Sequence, residues 1–281
     1  MKLTAAFAQL ALRDGDESAN LAAVRQACEE AAARKAELLV LPELWLSGYD
    51  LEHAAELALE PDDRRWEAIA ALARDHDLAV AGSLMVREGD GVRNALVIFD
   101  RSGHRIARYD KIHLFPPGGE DQHLASGRSV QVVSFGPESL RSGSLDGVGL
   151  AICYDLRFPE LFRAMRDRGA TLVLLPAQWP QSRLTHWSLL VRARAIENQV
   201  FLVAANRTGR DRAIRYAGHS VILDPWGEAI VEAGDPPAVL SATLDLDAVA
   251  QVRARFPVWG DRRADLFGEE LSGLQNPSGH A

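Results

Sequence analysis

The sequence has few cysteines and no long hydrophobic run. Its 281 residues include two cysteines, too few for the disulfide framework of a secreted protein, and this favours a reducing, cytoplasmic compartment. The longest apolar stretches, such as LLVLP and LVLLP, have the length of buried strands and fall far short of a membrane span. The N-terminal stretch contains Gln9 and soon reaches charged residues, so we interpret it as a first strand rather than a signal peptide.

A basic stripe is also absent. The chain has 31 Lys and Arg residues against 39 Asp and Glu residues, which gives a net charge of −8. The basic residues are scattered or lie among acidic ones, whereas a protein that binds a polyanion concentrates them on one face. We therefore expect neither nucleic acid nor an anionic membrane as a partner.

Strand-like and helix-like patterns alternate along the chain without a linker or a break in composition. Hydrophobic residues make up 47% of the sequence, enough for a sizeable core. The alternation predicts an α/β protein in which helix layers cover a strand-built interior. We expect a single domain over residues 1–267 and a C-terminal tail over residues 268–281. From Arg255 onward the composition turns polar and irregular, which is typical of a segment that wraps over a neighbour such as a second subunit.

One of the cysteines stands where an apolar strand ends. In GVGLAICYDLRFPEL the apolar run stops at Cys153, a polar Tyr-Asp pair follows, and Pro159 is suited to the first turn of a helix. Buried cysteines are usually inert, and Cys28, on the apolar stripe of a helix, fits that description. A strand-end cysteine before a turn is instead typical of an exposed nucleophile beside free backbone N–H groups. The pattern alone leaves both interpretations of Cys153 open.

Two charged residues occupy similar positions. Glu43 follows the apolar run ELLVLP, and Lys111 ends the strand RIARYDK. Each has an ordinary interpretation, since Glu43 could cap a local turn and Lys111 could face water. A carboxylate buried after an apolar run, however, has a raised pKa and can act as a general base. A thiol nucleophile needs such a base, or a cation that stabilises its thiolate.

Two segments share a strand that ends in Leu-Pro. AELLVLPEL covers residues 36–44, and ATLVLLPAQ covers residues 170–178. This internal similarity predicts two similarly placed strand ends on one edge of a sheet, where the ligand sites of α/β proteins tend to lie.

Three segments resemble the signature segments of the nitrilase (carbon–nitrogen hydrolase) superfamily. They are LPELWLSGY, YDKIHLFPPGGE and ICYDLRFPEL, in the order in which the superfamily carries its Glu, Lys and Cys. Supporting matches extend the resemblance from the first strand to about residue 267. The resemblance implies a nitrilase-like four-layer α-β-β-α sandwich, and it implies pairing of two such sandwiches into a homodimer or a larger homo-oligomer.

The resemblance also implies roles for individual residues. Cys153 becomes the nucleophile, Glu43 the general base and Lys111 the cationic partner of the tetrahedral intermediate. The backbone N–H of Tyr154 becomes a second donor to the oxyanion. No cofactor is implied, and the His and Cys residues show no metal-ligand spacing.

The superfamily carries a second glutamate in the loop after the lysine. Glu120, in PPGGED, matches it, and Glu138 and Asp121 are competitors because this loop varies in length. Glu120 would orient Lys111 and help to hold the attacking water.

The segment around the cysteine favours an amide-cleaving branch of the superfamily. Cys-Tyr-Asp stands where true nitrilases typically carry Cys-Trp-Glu, and the chain resembles the ω-amidases, which act on amides of short α-keto dicarboxylates such as 2-oxoglutaramate. Such an enzyme needs a cation for the distal carboxylate of its substrate, and arginine binds carboxylates in bidentate fashion. The candidate substrate contacts are Tyr49, Phe115, Arg157, Trp179 and Arg183, with Arg207 as a further arginine; Arg157 could instead be structural, tied to Glu160 or Asp155.

The leading hypothesis is a cysteine-dependent amidase that forms a thioester and releases ammonia from a small carboxylate-bearing amide, with water as second substrate. A hydrolase of N-carbamoyl amides or of deaminated glutathione would use the same residues. A binding or scaffold protein of the superfamily is the third hypothesis, although such a protein need not keep Glu43, Lys111 and Cys153 together.

Overall fold

Strands and helices alternate through most of the computed structural model, which describes residues 1–211, 214–263 and 265–266. Within these ranges the strands are β1 (Lys2–Gln9), β2 (Leu38–Val40), β3 (Ala79–Glu88), β4 (Gly91–Phe99), β5 (Arg105–Asp110), β6 (Val132–Phe135), β7 (Leu145–Leu150), β8 (Leu172–Ala177), β9 (Phe201–Asn206), β10 (Arg210–Asp211), β11 (Ile214–Arg215), β12 (Val221–Leu223), β13 (Ala229–Glu232) and β14 (Ala238–Asp245). The α-helices are α1 (Glu17–Ala33), α2 (Ala54–Leu57), α3 (Arg65–His76), α4 (Glu120–His123), α5 (Pro159–Asp167), α6 (Leu184–Asn198) and α7 (Ala248–Arg255).

Most of the strands form two six-stranded mixed sheets. The first sheet has the order β14-β1-β2-β3-β4-β5, and the second has the order β13-β12-β9-β8-β7-β6. In each sheet three adjacent strands are parallel, namely β1, β2 and β3 in the first and β7, β8 and β9 in the second. Antiparallel strands flank these parallel centres. The carboxyl ends of neighbouring parallel strands lie side by side, and such edges provide the ligand sites of α/β proteins.

The side chains of β1 show how the layers stack. Leu3, Ala5 and Phe7 belong to the core shared with the second sheet, whereas Ala6 and Ala8 pack with residues of α1 and α3. This alternation follows from the period of two along a strand. Residues of α5 and α6 pack with those of the second sheet. The layers are therefore α-β-β-α, and the expected fold class is confirmed.

The prediction for the two Leu-Pro strand ends is wrong. β2 lies in the first sheet and β8 in the second, so the two ends do not share an edge of one sheet. The sheets face each other, and the two strand ends meet across the interface between them. The backbone N–H of Gln178, after β8, donates to the Glu43 carboxylate, after β2, at 3.0 Å.

Two of the expectations concern the C-terminal tail and the cellular compartment. The proposed tail over residues 268–281 lies outside the described residues, so the boundary at residue 267 stays a prediction. Among the helices of the described ranges, none has both the length and the apolar character to cross a bilayer. The cytoplasmic compartment rests on cysteine usage alone and also stays a prediction.

Candidate active site

The three strand-end residues singled out in the sequence line one cavity. Glu43 follows β2, Lys111 directly follows β5, and Cys153 follows β7. Glu43 and Lys111 come from the first sheet and Cys153 from the second, so the site lies where the two sheets meet. The strands bring together residues that are far apart in the chain.

The backbone is strained at Cys153 and at the residue after Glu43. Cys153 has a φ of 44° and begins a short 3₁₀ turn over Cys153–Arg157. Leu44, next to Glu43, also has a φ of 44°, and its N–H donates to Ser83 Oγ at 2.8 Å. Left-handed backbone is costly for residues other than glycine and persists where the surrounding structure enforces it, often at functional sites. The surrounding structure therefore holds the backbone in place at both Cys153 and Leu44.

Lys111 lies between two carboxylates. Its Nζ donates to Glu43 Oε1 at 2.7 Å and to Glu120 Oε1 at 2.8 Å. The lysine side chain is 1% exposed and the glutamates are fully buried. Glu138 and Asp121, the competitors for the second glutamate, are exposed. The geometry thus favours Glu120 as the partner of Lys111.

Two amide side chains complete this cluster, and the sequence analysis missed both. Asn94 Nδ2, on β4, donates to Glu43 Oε1 at 2.9 Å. Gln178 contributes its backbone N–H to Glu43 Oε2 and its Nε2 to the Glu43 carbonyl, at 3.0 and 2.6 Å. A signal was present for each residue: Asn94 is a polar residue within an otherwise buried strand, and Gln178 ends the second Leu-Pro segment.

Burial controls the protonation of the cluster. It raises the pKa of Glu43, and the nearby Glu120 charge adds to this effect while Lys111 opposes it. Burial also raises the pKa of the Cys153 thiol well above its ordinary value, with a further contribution from the Glu43 carboxylate. Burial alone would lower the pKa of Lys111, but the Glu120 and Glu43 charges outweigh it and raise that pKa. The resting site therefore holds a neutral thiol and a protonated lysine.

A cavity of ≈ 540 Å³ opens from this cluster towards solvent. Its buried end is formed by Glu43, Lys111 and Cys153. The cavity is also lined by Tyr154 and by five of the predicted substrate contacts, namely Tyr49, Phe115, Arg157, Trp179 and Arg183. The wall further contains residues that the sequence analysis did not name: Gln178, Ile214, Arg215 and Tyr216.

Two arginines of the cavity wall have no acidic partner among the described residues. The Arg157 guanidinium lies 4.7 Å from the ring centroid of Trp179, and both of its Nη atoms are 3.3 Å from His186 Nδ1. Arg183 lies 5.3 Å from the ring centroid of Phe115. A guanidinium without a carboxylate partner is free to bind an anionic ligand.

Arg207 differs from these two arginines. It is fully buried, donates to Asp14 Oδ1 at 2.7 Å and to Asp211 Oδ2 at 3.1 Å, and does not line the cavity. Its charge is already neutralised by these carboxylates. We therefore assign it to the scaffold.

The remaining candidate features do not form a second reactive site. Cys28 is buried on α1, and burial raises the pKa of its thiol to about 12. No group of three or more His, Cys, Asp or Glu residues within the described ranges has the arrangement of a metal site.

Comparison with known proteins identifies the family. The model of the carbon–nitrogen hydrolase family matches residues 4–254. The chain belongs to the carbon–nitrogen hydrolase family. A 2-oxoglutaramate amidase of Bacillus subtilis (strain 168) is 38% identical over 268 residues, which are 95% of this chain and 100% of that protein.

Solved structures of carbon–nitrogen hydrolases have the same fold. A superfamily protein of Xanthomonas campestris, with an arsenic adduct in its active site, is similar with a TM-score of 0.84 and 32% identity, over 93% of this chain and 97% of that one. An amidase of Nesterenkonia sp. AN1, with acrylamide added to its active-site cysteine, is similar with a TM-score of 0.81 and 30% identity, over 95% and 99%. The expected superfamily and its hydrolysis of carbon–nitrogen bonds other than peptide bonds are confirmed.

Proposed function

We propose that this carbon–nitrogen hydrolase is a cysteine-dependent ω-amidase, which hydrolyses the terminal amide of a short dicarboxylate monoamide such as 2-oxoglutaramate. One observation carries the proposal: the same cavity holds the Glu43, Lys111 and Cys153 cluster and two arginines that have no acidic partner within the described ranges. Such a cavity suits a small molecule with an amide at one end and a carboxylate at the other. The 2-oxoglutaramate amidase of B. subtilis, similar over nearly the full chain, supports it.

Acylation begins at Cys153. As Sγ attacks the amide carbon, the thiol proton moves to Glu43, whose raised pKa makes it a competent base. The carbonyl oxygen becomes an oxyanion that accepts hydrogen bonds from Lys111 Nζ and the Tyr154 N–H. Each donor can contribute about 3–4 kcal/mol of transition-state stabilisation in a site shielded from water. The C–N bond then breaks and the nitrogen takes the proton from Glu43. Ammonia is released, and the acyl group remains on Cys153 as a thioester.

Deacylation reuses the same groups. Glu43 takes a proton from a water molecule as its oxygen attacks the thioester carbon, and the second oxyanion forms at the same donors. The C–S bond breaks, and the proton on Glu43 returns to sulfur. The product is the free carboxylic acid. Glu120 holds Lys111 in place throughout, since its Oε1 accepts from Nζ at 2.8 Å.

Arg157 and Arg183 would bind the distal carboxylate. Both line the cavity, and aromatic rings hold both guanidinium groups. A preorganised guanidinium loses little side-chain freedom when it forms a bidentate pair. Tyr49, Phe115 and Trp179 would form the walls between the two ends.

Ammonia release tests this function. Wild-type protein should release ammonia from 2-oxoglutaramate, and Cys153→Ala should release none above background. Cys28→Ser is the matched control, because it alters the other thiol and should keep full activity. Ammonia release by Cys153→Ala would contradict the mechanism.

A longer amide is the second candidate substrate. A cavity of ≈ 540 Å³ is within the range that accommodates drug-sized ligands, and is therefore spacious for a five-carbon amide. Deaminated glutathione would occupy more of it. A higher kcat/KM for deaminated glutathione than for 2-oxoglutaramate would transfer the proposal to that substrate while leaving the mechanism intact. Turnover of N-carbamoyl compounds, with neither ammonia from 2-oxoglutaramate nor cysteinylglycine from deaminated glutathione, would exclude both.

The homodimer that the resemblance implies also stays a proposal. Sedimentation equilibrium measures the mass of the particle directly. A mass of 30.7 kDa, that of one chain, across micromolar concentrations would contradict it.

A further inference from the structure

Asp155 is a fully buried carboxylate to which the mechanism above gives no role. It lies two residues after Cys153 and accepts four hydrogen bonds. Oδ2 accepts from the Ile152 N–H at 2.9 Å and from the Tyr109 hydroxyl at 2.7 Å. Oδ1 accepts from the backbone N–H of His113 at 3.0 Å and contacts its Nδ1 at 2.7 Å. Buried carboxylates are costly unless they are fully hydrogen-bonded, and this one is.

The donors come from two different parts of the site. The Ile152 N–H belongs to the turn that presents Cys153. The other three belong to the segment 109–113, and Lys111 lies at its centre, with Tyr109 two residues before it and His113 two residues after it. The carboxylate therefore holds both sides of the lysine segment against the nucleophile turn.

Within the described ranges, no hydrogen bonds between paired strands join the lysine segment to the turn at Cys153. Lys111 follows β5, at the edge of the first sheet, and Cys153 follows β7, in the second sheet. The two strands do not pair with each other. Further contacts fix the bridge itself: the Phe158 N–H donates to the Asp155 carbonyl at 3.0 Å. The Phe158 ring stacks on the His113 imidazole at 3.8 Å between centroids and an interplanar angle of 7°.

We propose that Asp155 is a positioning residue that joins the two sheets at the active site and sets the distance from Lys111 Nζ to the oxyanion formed on Cys153. The proposal rests on the proposed function, since it assigns Lys111 to that oxyanion. Asp155 touches neither substrate nor the reacting atoms. Its effect is on the geometry of Lys111, and a misplacement of about 1 Å at such a donor can reduce the rate about 100-fold.

Two reactions of the same thiol separate this role from simple support of the fold. Hydrolysis of an amide passes through an oxyanion, whereas alkylation of Cys153 by iodoacetamide displaces iodide at a saturated carbon and forms none. Loss of folded protein would reduce both rates in parallel. A displaced Lys111 would reduce hydrolysis and leave alkylation largely intact.

His113 offers a matched pair of variants on the lysine side of the bridge. His113→Leu removes the Nδ1 contact, whereas His113→Asn can place an amide N–H near the same position and should restore it. For His113→Leu we expect kcat to fall about 10- to 100-fold with KM and the alkylation rate within about twofold of wild type. His113→Asn should recover most of kcat. A parallel fall in hydrolysis and alkylation, or wild-type kcat in His113→Leu, would overturn the proposal.

A variant of Asp155 itself provides the second measurement. In Asp155→Asn one oxygen can still accept from His113, but the new NH₂ group faces the Ile152 N–H, and two donors then oppose each other. The fall in kcat should therefore exceed that of His113→Leu, and Tyr109→Phe, which removes a single donor, should cause a smaller one. If Cys153→Ala is inactive and His113→Leu and Asp155→Asn both keep wild-type kcat, the proposed function stands and the role of Asp155 does not.

Discussion

The two ends of the cavity differ in how their charges are compensated. At the buried end, Lys111 is in contact with two carboxylates and is 1% exposed. At the other end, Arg157 and Arg183 rest on aromatic rings and are without acidic partners in the described part of the chain. At the buried end the lysine charge is therefore already paired. At the other end the two guanidinium groups can still pair with an anionic ligand.

The difference has an energetic origin. A charge that is fully buried must be paired, because its desolvation costs several kcal/mol and removal of its partner leaves that cost uncompensated. A partly exposed guanidinium keeps some hydration and tolerates an empty site. We therefore expect the buried end to determine the rate of the reaction and the arginine end to determine which substrate binds. Substitutions at the two ends should have different effects.

The largest effect is expected for Lys111→Met. The variant loses the proposed oxyanion donor and leaves two buried carboxylates together, so kcat/KM should fall at least ~300-fold and the free energy of unfolding by about 3–5 kcal/mol. Steady-state kinetics and urea denaturation measure the two quantities. Lys2→Met, at an exposed position of β1, is the control and should change neither. Wild-type stability in Lys111→Met would show that the buried end is not the closed ionic cluster described.

The open end should respond differently. Arg157→Ala and Arg183→Ala should each raise KM for 2-oxoglutaramate about 10- to 100-fold, the value of one lost charge-assisted pair, with a smaller change in kcat. A neutral aliphatic amide should show no such increase, since it has no carboxylate. Arg74→Ala, on α3 and away from the cavity, is the control. An equal loss with both substrates would remove the assignment to the distal carboxylate.

The pH dependence of kcat/KM reports on the buried end. Glu43 must be ionised to accept the thiol proton, so activity should fall as the pH drops through its pKa. Because burial and Glu120 raise that pKa, the acid limb should lie above the ordinary glutamate value of about 4.3. Glu120→Gln removes one of the charges that raise it, and the limb should then move to lower pH. A limb that moves upward in Glu120→Gln would contradict this electrostatic picture.

The smallest effect is expected at the other thiol. With its pKa raised to about 12 by burial, Cys28 carries almost no thiolate at neutral pH and should not react with iodoacetamide. Cys28→Ser should keep both the activity and the sensitivity of the wild type to alkylation. Protection of Cys28→Ser from inactivation would mean that the nucleophile is assigned to the wrong cysteine.

Local patterns singled out three residues that the structure brings together in one cavity. Glu43 and Cys153 each follow an apolar strand and Lys111 follows the more polar strand β5, and each position is visible in a single stretch of sequence. Asn94 and Gln178 were missed because what distinguishes them is a partner distant in the chain: both donate to Glu43, Asn94 from the same sheet and Gln178 from the facing one. Glu120 could be matched to the superfamily but not separated from Asp121 until the burial of each was known.

Two other interpretations also depended on contacts between residues that are distant in the chain. The two Leu-Pro segments resemble each other, and this similarity was interpreted as two strand ends on one edge of a single sheet. They belong to opposite sheets, and the interface between those sheets lies where their ends meet. Arg157 was considered as a partner of Asp155, yet that carboxylate is occupied by donors from the lysine segment.

Local sequence was enough to predict the alternation of strands and helices, the burial of the apolar strands, and the segment ends at which Glu43, Lys111 and Cys153 stand. These properties follow from hydrophobic periodicity, which acts over a few residues. The fold was needed to show which strand ends meet, which carboxylates surround Lys111, and which arginines lack an acidic partner in the part of the chain that the structure describes. Those properties depend on the packing of two sheets and on burial, and burial sets the pKa of each group through desolvation and through neighbours that are distant in the chain.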